Sequence, residues 1–191
     1  VVDALMFKPP AHVAQPDDVI RIYFAYPNPT GGKSSSTQIT GYGTYEALRD
    51  NAPAFQNVAA YWATKTSIGR GDDARALSTV LVTASFFHAL GTQPTLGRFF
   101  APDEERAEGN KTVVLSYELW KSRFNGDRGV LGRAVDVGGQ PYTVIGVAPP
   151  EFTGIDLKRV DAWLPIGAAT TMFSSNALSH AGSFWLSTLA R

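Results

Sequence analysis

The three histidines are the side chains of this sequence best suited to proton transfer or metal binding. They are His12, His88 and His180, and no two of them are close in sequence. No helix can therefore present two imidazoles on one face, as the helical zinc motifs require. His88 falls in a short Phe-rich segment, where a structural role is favoured over catalysis, and the other two lie in loop-like sequence. We predict no metal-binding residues.

Ser116 is the serine whose sequence context comes closest to that of a catalytic nucleophile. It lies between a short apolar run and a helical pattern, but it lacks the flanking glycines of the nucleophile elbow. A serine at the start of a helix accepts a hydrogen bond from a free backbone N–H of the first turn. Ser116 is therefore predicted to be a helix N-cap. The sequence predicts no catalytic residues and no enzyme activity.

The chain has no recognisable residues for phosphate binding or for thiol chemistry. Gly41 and Gly43 lack the third glycine of a dinucleotide-binding turn, and the Walker A pattern does not occur. The chain contains no cysteine, which excludes disulfides, thiolate metal sites and cysteine nucleophiles. We therefore predict no cofactor, no cofactor-binding residues and no ATP hydrolysis.

Two acidic groups and four tryptophans remain as possible ligand-binding features. The acidic groups, Asp72–Asp73 and Asp103–Glu105, lack the alternating spacing of a calcium loop, so we interpret them as solvated. The tryptophans could form an aromatic pocket, but each falls in a predicted strand or on an apolar helix stripe, which favours core packing. They are Trp62, Trp120, Trp163 and Trp185.

Composition indicates a globular protein that does not bind nucleic acid. The 191 residues are 44% hydrophobic and 18% charged, and 17 basic side chains balance 17 acidic ones. A neutral chain has no basic excess to neutralise a phosphate backbone. No apolar run approaches the roughly 18 residues needed to span a bilayer. The start at Val1 lacks both an initiator Met and a signal-peptide pattern, so we expect the chain to be part of a longer protein.

Short strands and short helices alternate along the chain. The Gly138–Gly139 pair predicts a tight turn in a β-hairpin between residues 133 and 147. Residues 162–165 are interpreted as an apolar edge, and residues 27–37 as a mobile loop. Thr40 and Ser85 are candidate N-caps, in addition to Ser116. The other predicted strands cover 18–24, 59–66, 77–82, 112–115 and 184–190, and the predicted helices cover 42–51, 85–90 and 116–124.

A series of motifs in one order resembles a known family. Residues 86–100 have the pattern F-F-x-x-L-G-x-x-P-x-x-G-R-x-F, and Val113–Trp120 and Arg123–Asp127 follow at familiar distances. Further matches are Val130–Arg133, Tyr142–Phe152 and Asp161–Pro165. Together they resemble the MacB-like periplasmic core domain of ABC-transporter-type permeases with FtsX-like membrane segments. The resemblance covers nearly the whole chain.

The resemblance implies an α+β fold of two lobes. A porter-like βαβ lobe would use residues 1–63 and 181–191, and a mostly-β, Sabre-like lobe would be inserted as residues 64–180. In the family a Pro-Gly turn and a further helix follow the last strand. The chain ends at Arg191, so we expect the porter-like lobe to be incomplete at its C-terminal end.

The resemblance also implies a function at the periplasmic or extracytoplasmic face of the bacterial inner membrane. The domain would couple membrane-helix motion to conformational change in export or mechanotransmission. Its partners would be its own transmembrane helices, a second permease domain or homodimer partner, a cytoplasmic ATP-binding subunit acting indirectly, and a periplasmic adaptor protein. The alternative is a periplasmic ligand- or protein-binding module, favoured by a deep apolar pocket with convergent polar groups. A hydrolase would instead need Ser116 and His88 brought together with a carboxylate.

Overall fold

The computed structural model describes residues 11–26, 35–106, 111–156, 158–179 and 185–191. These residues form an α+β fold dominated by β-structure. The strands are β1 (Ile20–Ile22), β2 (Phe24–Tyr26), β3 (Ser35–Thr37), β4 (Ile39–Thr40), β5 (Val58–Ile68), β6 (Arg75–Val82), β7 (Leu96–Gly97), β8 (Thr112–Leu115), β9 (Ala134–Val137), β10 (Gln140–Val147), β11 (Ala162–Pro165) and β12 (Leu186–Ala190). The helices are α1 (Tyr42–Asn51), α2 (Ser85–Ala89), α3 (Tyr117–Phe124) and α4 (Ala169–Met172).

Ten of the strands in the described ranges join in one mixed sheet. Its main path runs β1-β12-β5-β6-β11-β8-β10-β7, while β4 pairs with β12 and β9 pairs with both β10 and β5. Strands β2 and β3 form a separate antiparallel pair. Strands β1 and β12, which lie far apart in sequence, are antiparallel neighbours, with Ile20 opposite Ala190.

Strand β5 is the longest element of the sheet and crosses the predicted lobe boundary. Its first residues pair with β12, from Val58 opposite Ala190 to Tyr61 opposite Ser187. Its pairing with β6 continues without a break to Ile68, which also lies opposite Val137 of β9. The boundary between residues 63 and 64 therefore lies inside a continuous strand. The division into a porter-like and an inserted lobe remains a prediction.

Both faces of the sheet are covered by apolar side chains. Neighbouring residues of β8 illustrate this, because Val114 packs in one buried cluster and Leu115 in the other. Strand β12 behaves in the same way, with Leu186 in one cluster and Leu189 in the other. Strands buried on both faces are rich in apolar residues, as in Val113–Leu115, whereas β12 also buries Ser187 and Thr188.

Local sequence signals predicted several elements correctly. Gly138 and Gly139 have φ values of 60° and 81°, so the predicted tight turn joins β9 and β10 as a hairpin. Ser116 caps α3 by accepting a hydrogen bond from the N–H of Leu119 at 3.1 Å. Helix α3 ends at Phe124, and Asn125 follows it as a left-handed C-cap. The predicted hairpin turn, the Ser116 cap and the end of the helix at residue 124 are confirmed.

Other predictions near the N-terminus were wrong. The single strand expected over 18–24 is a short 3₁₀ turn over 16–18 followed by β1 and β2, and Ile20 is largely exposed. Part of the predicted loop 27–37 is strand β3, while residues 27–34 lie outside the described ones. Thr40 belongs to β4, so the N-cap of α1 is Gly41. The sequence pattern missed β3 because its pairing with β2 is not visible in local composition.

Two further corrections concern the middle of the sheet. Ser85 is the first residue of α2 and not its cap, and its hydroxyl donates to the carbonyl of Val58 at 2.7 Å. The apolar run 162–165 is not an edge. As β11 it lies between β6 and β8, parallel to the first and antiparallel to the second. A strand of four residues has no local signal that distinguishes an inner position from an outer one.

Candidate functional site

The residues best suited to catalysis do not form a catalytic group. His12 is exposed in a turn, His88 is exposed on α2, and His180 lies outside the described residues. Ser116 is buried and its hydroxyl is used in the α3 cap. No hydrogen bond joins Ser116 to His88 in the part of the chain that the structure describes. Within the same residues, no group of three or more histidine and acidic side chains could hold a metal ion.

The segment Asp103–Glu105 is not a solvated acidic loop, contrary to our interpretation. The Glu104 side chain is 2% exposed and accepts hydrogen bonds from Arg98 at 2.6 and 3.2 Å and from the N–H of Ala101 at 2.7 Å. Burial disfavours its charged form, but these hydrogen bonds outweigh burial, so the pKa of Glu104 lies below the ordinary glutamate value. Asp72 and Asp73, by contrast, are exposed as expected.

The pKa of Glu105 is shifted in the opposite direction from the pKa of Glu104. It accepts a hydrogen bond from the N–H of Ala84, which ties the segment to the start of α2. Burial raises the pKa of Glu105, and this outweighs the hydrogen bond. Two adjacent carboxylates therefore have different roles: Glu104 is a charged acceptor that folds its own loop, and Glu105 joins two elements.

The four tryptophans divide into two pairs. Trp120 and Trp163 are core residues as predicted, with Trp163 packed against Phe87 and Phe152. Trp62 and Trp185 are only half-buried and meet edge to face, with ring centroids 6.2 Å apart. The 50%-exposed Phe173 packs on Trp185, and these rings line a small pocket. Core packing thus accounts for one pair and not fully for the other.

A groove on the opposite face of β5 is a second candidate for ligand binding. It has a volume of about 280 Å³ and lies between one face of the paired strands β5 and β6 and the chain segments 153–156 and 158–160. We call it the β5–β6 groove. Its floor consists of buried side chains from four elements: Tyr61, Val80, Phe86 and Trp163. Ala63, in the middle of β5, leaves it open because its side chain is small.

Two residues that line the β5–β6 groove, Tyr61 and Asp156, belong to a polar cluster. Asp156 forms an ion pair with Arg21 of β1 and accepts a hydrogen bond from the hydroxyl of Tyr61 at 3.5 Å. Arg21 also donates to the side chain of Gln38 at 3.1 Å. Burial raises the pKa of Tyr61, and the nearby Asp156 raises it further, so the hydroxyl stays neutral. This Arg21–Asp156–Tyr61 cluster joins the first strand of the sheet to the segment that covers the groove.

The other charged side chains along the groove are cationic. Lys65 follows Ala63 on the same face of β5, and Lys158 and Arg159 lie on the covering segment. Arg159 is paired with Asp161 at 3.0 Å. Within the described ranges, neither Lys65 nor Lys158 forms an ion pair. Sequence reasoning missed this site because its residues come from β5, β6, α2, β11 and the segment between β10 and β11, which lie far apart along the chain.

Comparison with known families shows which family this chain belongs to. Residues 2–189 match the family described as the MacB-like periplasmic core domain. The chain belongs to this family. It is therefore an extracytoplasmic domain of an ABC-transporter-type permease, as the resemblance implied. A comparison with curated proteins gives no match to the sequence. Among the described residues, no helix has the length and apolar composition needed to cross a bilayer.

Three solved structures of similar fold agree with the family. The extracellular domain of the noncanonic ABC-type transporter YknZ from Gram-positive bacteria is 16% identical, with a TM-score of 0.63 over 91% of this chain and 82% of that one. A domain of a putative permease protein from Porphyromonas gingivalis is 18% identical, with a TM-score of 0.66 over 97% and 76%. The periplasmic region of MacB from Actinobacillus actinomycetemcomitans is 17% identical, with a TM-score of 0.64 over 91% and 74%. At these identities the likeness shows the α+β fold.

Proposed function

We propose that this MacB-like domain transmits membrane-helix motion to its extracytoplasmic surface and does not itself catalyse a reaction. The observation that carries the proposal is the adjacency of β1 and β12 in one continuous sheet. In a permease, membrane segments connected near these two strands would act on the same part of the sheet. Strand β12 is also paired with β5, so a displacement would pass directly to the longest strand.

Two connections would carry the displacement onward from β1 and β12. The first is β5 itself, whose 11 residues extend from β12 to the β9–β10 hairpin. The second is the Arg21–Asp156–Tyr61 cluster, which joins β1 to the segment between β10 and β11. The Arg21 and Asp156 side chains are 28% and 33% exposed, and an ion pair that solvent reaches contributes roughly 0–1 kcal/mol, so it can break and re-form during a working cycle.

Under this proposal the partners are those of a membrane transporter. They are the transmembrane helices of the same permease, a second permease domain or a second copy, a cytoplasmic ATP-binding subunit acting through the membrane, and a periplasmic adaptor protein. A buried apolar cluster lies on each face of the sheet, which suits a body that moves largely as a unit. Such a body needs no catalytic residue.

Reversible cross-linking in the assembled permease tests this function. The chain has no cysteine, so an Arg21→Cys, Asp156→Cys double variant carries one defined pair within this domain. Bridging the pair with a bifunctional methanethiosulfonate should reduce transport-coupled ATPase activity, and reductant should restore it. The matched control is Ala134→Cys with Thr143→Cys, which lie opposite one another within a single hairpin. Full coupled activity with the Arg21–Asp156 bridge complete would contradict the proposal.

A further inference from the structure

The β5–β6 groove has the dimensions and floor of a small-ligand site. Its volume of about 280 Å³ is at the lower end of the range of ligand pockets, roughly 300–1,000 Å³. At roughly 30 Å³ for each water-sized group, it holds about ten non-hydrogen atoms. Its floor is made of aromatic and aliphatic side chains, so the buried part of a ligand must be apolar.

The side chains that line the groove carry more positive than negative charge. Asp156 is the acidic side chain that lines it, and this carboxylate is already paired with Arg21 and hydrogen-bonded by Tyr61. Arg159 is offset by Asp161, which lies outside the groove lining. Lys65 and Lys158 remain, on opposite sides of the opening, with no carboxylate partner among the described residues. A ligand head group between them would be stabilised if it were anionic.

We propose that the β5–β6 groove binds a small anionic amphiphile. The apolar chain lies on Tyr61, Val80 and Trp163, and a carboxylate or similar anionic head lies between Lys65 and Lys158. The volume of about 280 Å³ limits the length of the chain that the groove can bury. This binding function goes beyond the coupling function and does not depend on it.

Calorimetric titration of the 191-residue chain with decanoate tests this binding site. The comparison ligands are decyltrimethylammonium and decyl maltoside, all below the concentrations at which they form micelles. Decanoate should bind saturably with one site per chain, and more tightly than the cationic and neutral amphiphiles. Replacing both Lys65 and Lys158 with Gln should weaken decanoate binding by about five- to tenfold, since each exposed ion pair contributes up to roughly fivefold.

Two further variants separate the groove from other surfaces. Ala63→Phe adds a ring to the open middle of the groove and should weaken decanoate binding by about tenfold or more, as expected when two or three methylene groups are kept out. Lys111→Gln removes an exposed lysine near Gln140, away from the groove lining, and should leave binding unchanged. Thermal melts of each variant establish that it is folded.

Three outcomes would overturn the proposal. The first is no saturable decanoate binding. The second is equal affinity for decanoate and decyltrimethylammonium, which would show an apolar pocket without charge selection. The third is decanoate binding that survives both Ala63→Phe and the double lysine variant, which would place the ligand elsewhere. The titration uses the domain alone, so its failure is distinguishable from a failure of coupling in the assembled permease.

Discussion

Replacing Trp120 with Ala tests whether α3 and the β9–β10 hairpin form one packed unit. The Trp120 side chain is 6% exposed and shares a buried cluster with Val137, Tyr142 and Val144 of the hairpin. Its ring meets Tyr117 edge to face, with centroids 5.5 Å apart. Its indole N–H donates to the carbonyl of Asp127 at 2.8 Å.

The size of the effect follows from these contacts. A buried tryptophan removes roughly 150–250 Å² from water, which at about 25 cal/mol per Å² corresponds to roughly 4–6 kcal/mol. Large-to-small changes at buried aromatics cost about 3–5 kcal/mol because the site partly relaxes. We therefore expect Trp120→Ala to lower the free energy of unfolding by about 3–5 kcal/mol, with about 1 kcal/mol of this due to the hydrogen bond to Asp127.

Urea unfolding followed by far-ultraviolet circular dichroism measures this loss independently of the other three tryptophans. Trp120→Phe keeps most of the apolar contact and removes the indole N–H, so it should cost about 1–2 kcal/mol. Tyr117→Ala, at a half-buried aromatic on the same helix, should cost less than Trp120→Ala. A loss below about 1 kcal/mol for Trp120→Ala, at an unchanged denaturant slope, would refute the packing described here.

Three further predictions concern a cap, a close backbone approach and a buried carboxylate. Ser116→Ala should lower stability by about 0.5–2 kcal/mol in urea melts, while Ser122→Ala on the same helix should stay within about 0.5 kcal/mol. Gly146→Ala would place a Cβ against the backbone carbonyl of Arg98 and should lower the melting temperature. At Gly43 a Cβ meets open space, so Gly43→Ala should raise stability by about 0.5–1 kcal/mol. Equal effects of the two substitutions would contradict this prediction. Burial raises the folded-state pKa of Glu105, so the folded state binds the carboxyl proton more readily than the unfolded state does. The stability that this group contributes therefore falls as pH rises above the ordinary pKa of 4.5. Glu105→Gln should therefore gain stability relative to the parent chain as pH rises through that window, and parallel stability–pH curves would show that Glu105 is not desolvated.

Several elements could be predicted because their signals are local. The Gly138–Gly139 turn requires positive φ at two consecutive residues, and the sequence supplies the residue type that adopts it without strain. Ser116 marks the start of α3 because its side chain accepts a hydrogen bond from the first turn, as its position before a helical pattern predicted. The ordered motifs from residue 86 to 165 were sufficient to indicate the MacB-like family, which the family comparison shows over residues 2–189.

The acidic segment shows where local reasoning fails. Asp103–Glu105 is a run of charges, and an isolated run of this kind is expected to be solvated. Arg98 lies close enough in sequence to have been considered as a partner of Glu104, but nothing local indicates that Ala84 approaches Glu105 from 21 residues away. Burial of a carboxylate depends on what packs over it, and this is a property of the tertiary fold.

Residue types and their order along the chain were sufficient to predict the Gly138–Gly139 turn, the Ser116 cap, most of the apolar strands and the family. The turn and the cap depend on residues that are near one another, and the family was indicated by a series of motifs in one order. The folded arrangement was needed to show that β11 is an inner strand, that β1 and β12 are neighbours, and that Arg21 contacts Asp156. It also brought Ala63, Lys65 and Lys158 to one groove. Strand order and pocket lining depend on contacts between residues that are many positions apart. The free energies of these contacts are determined by burial and strand pairing, which no local sequence pattern encodes.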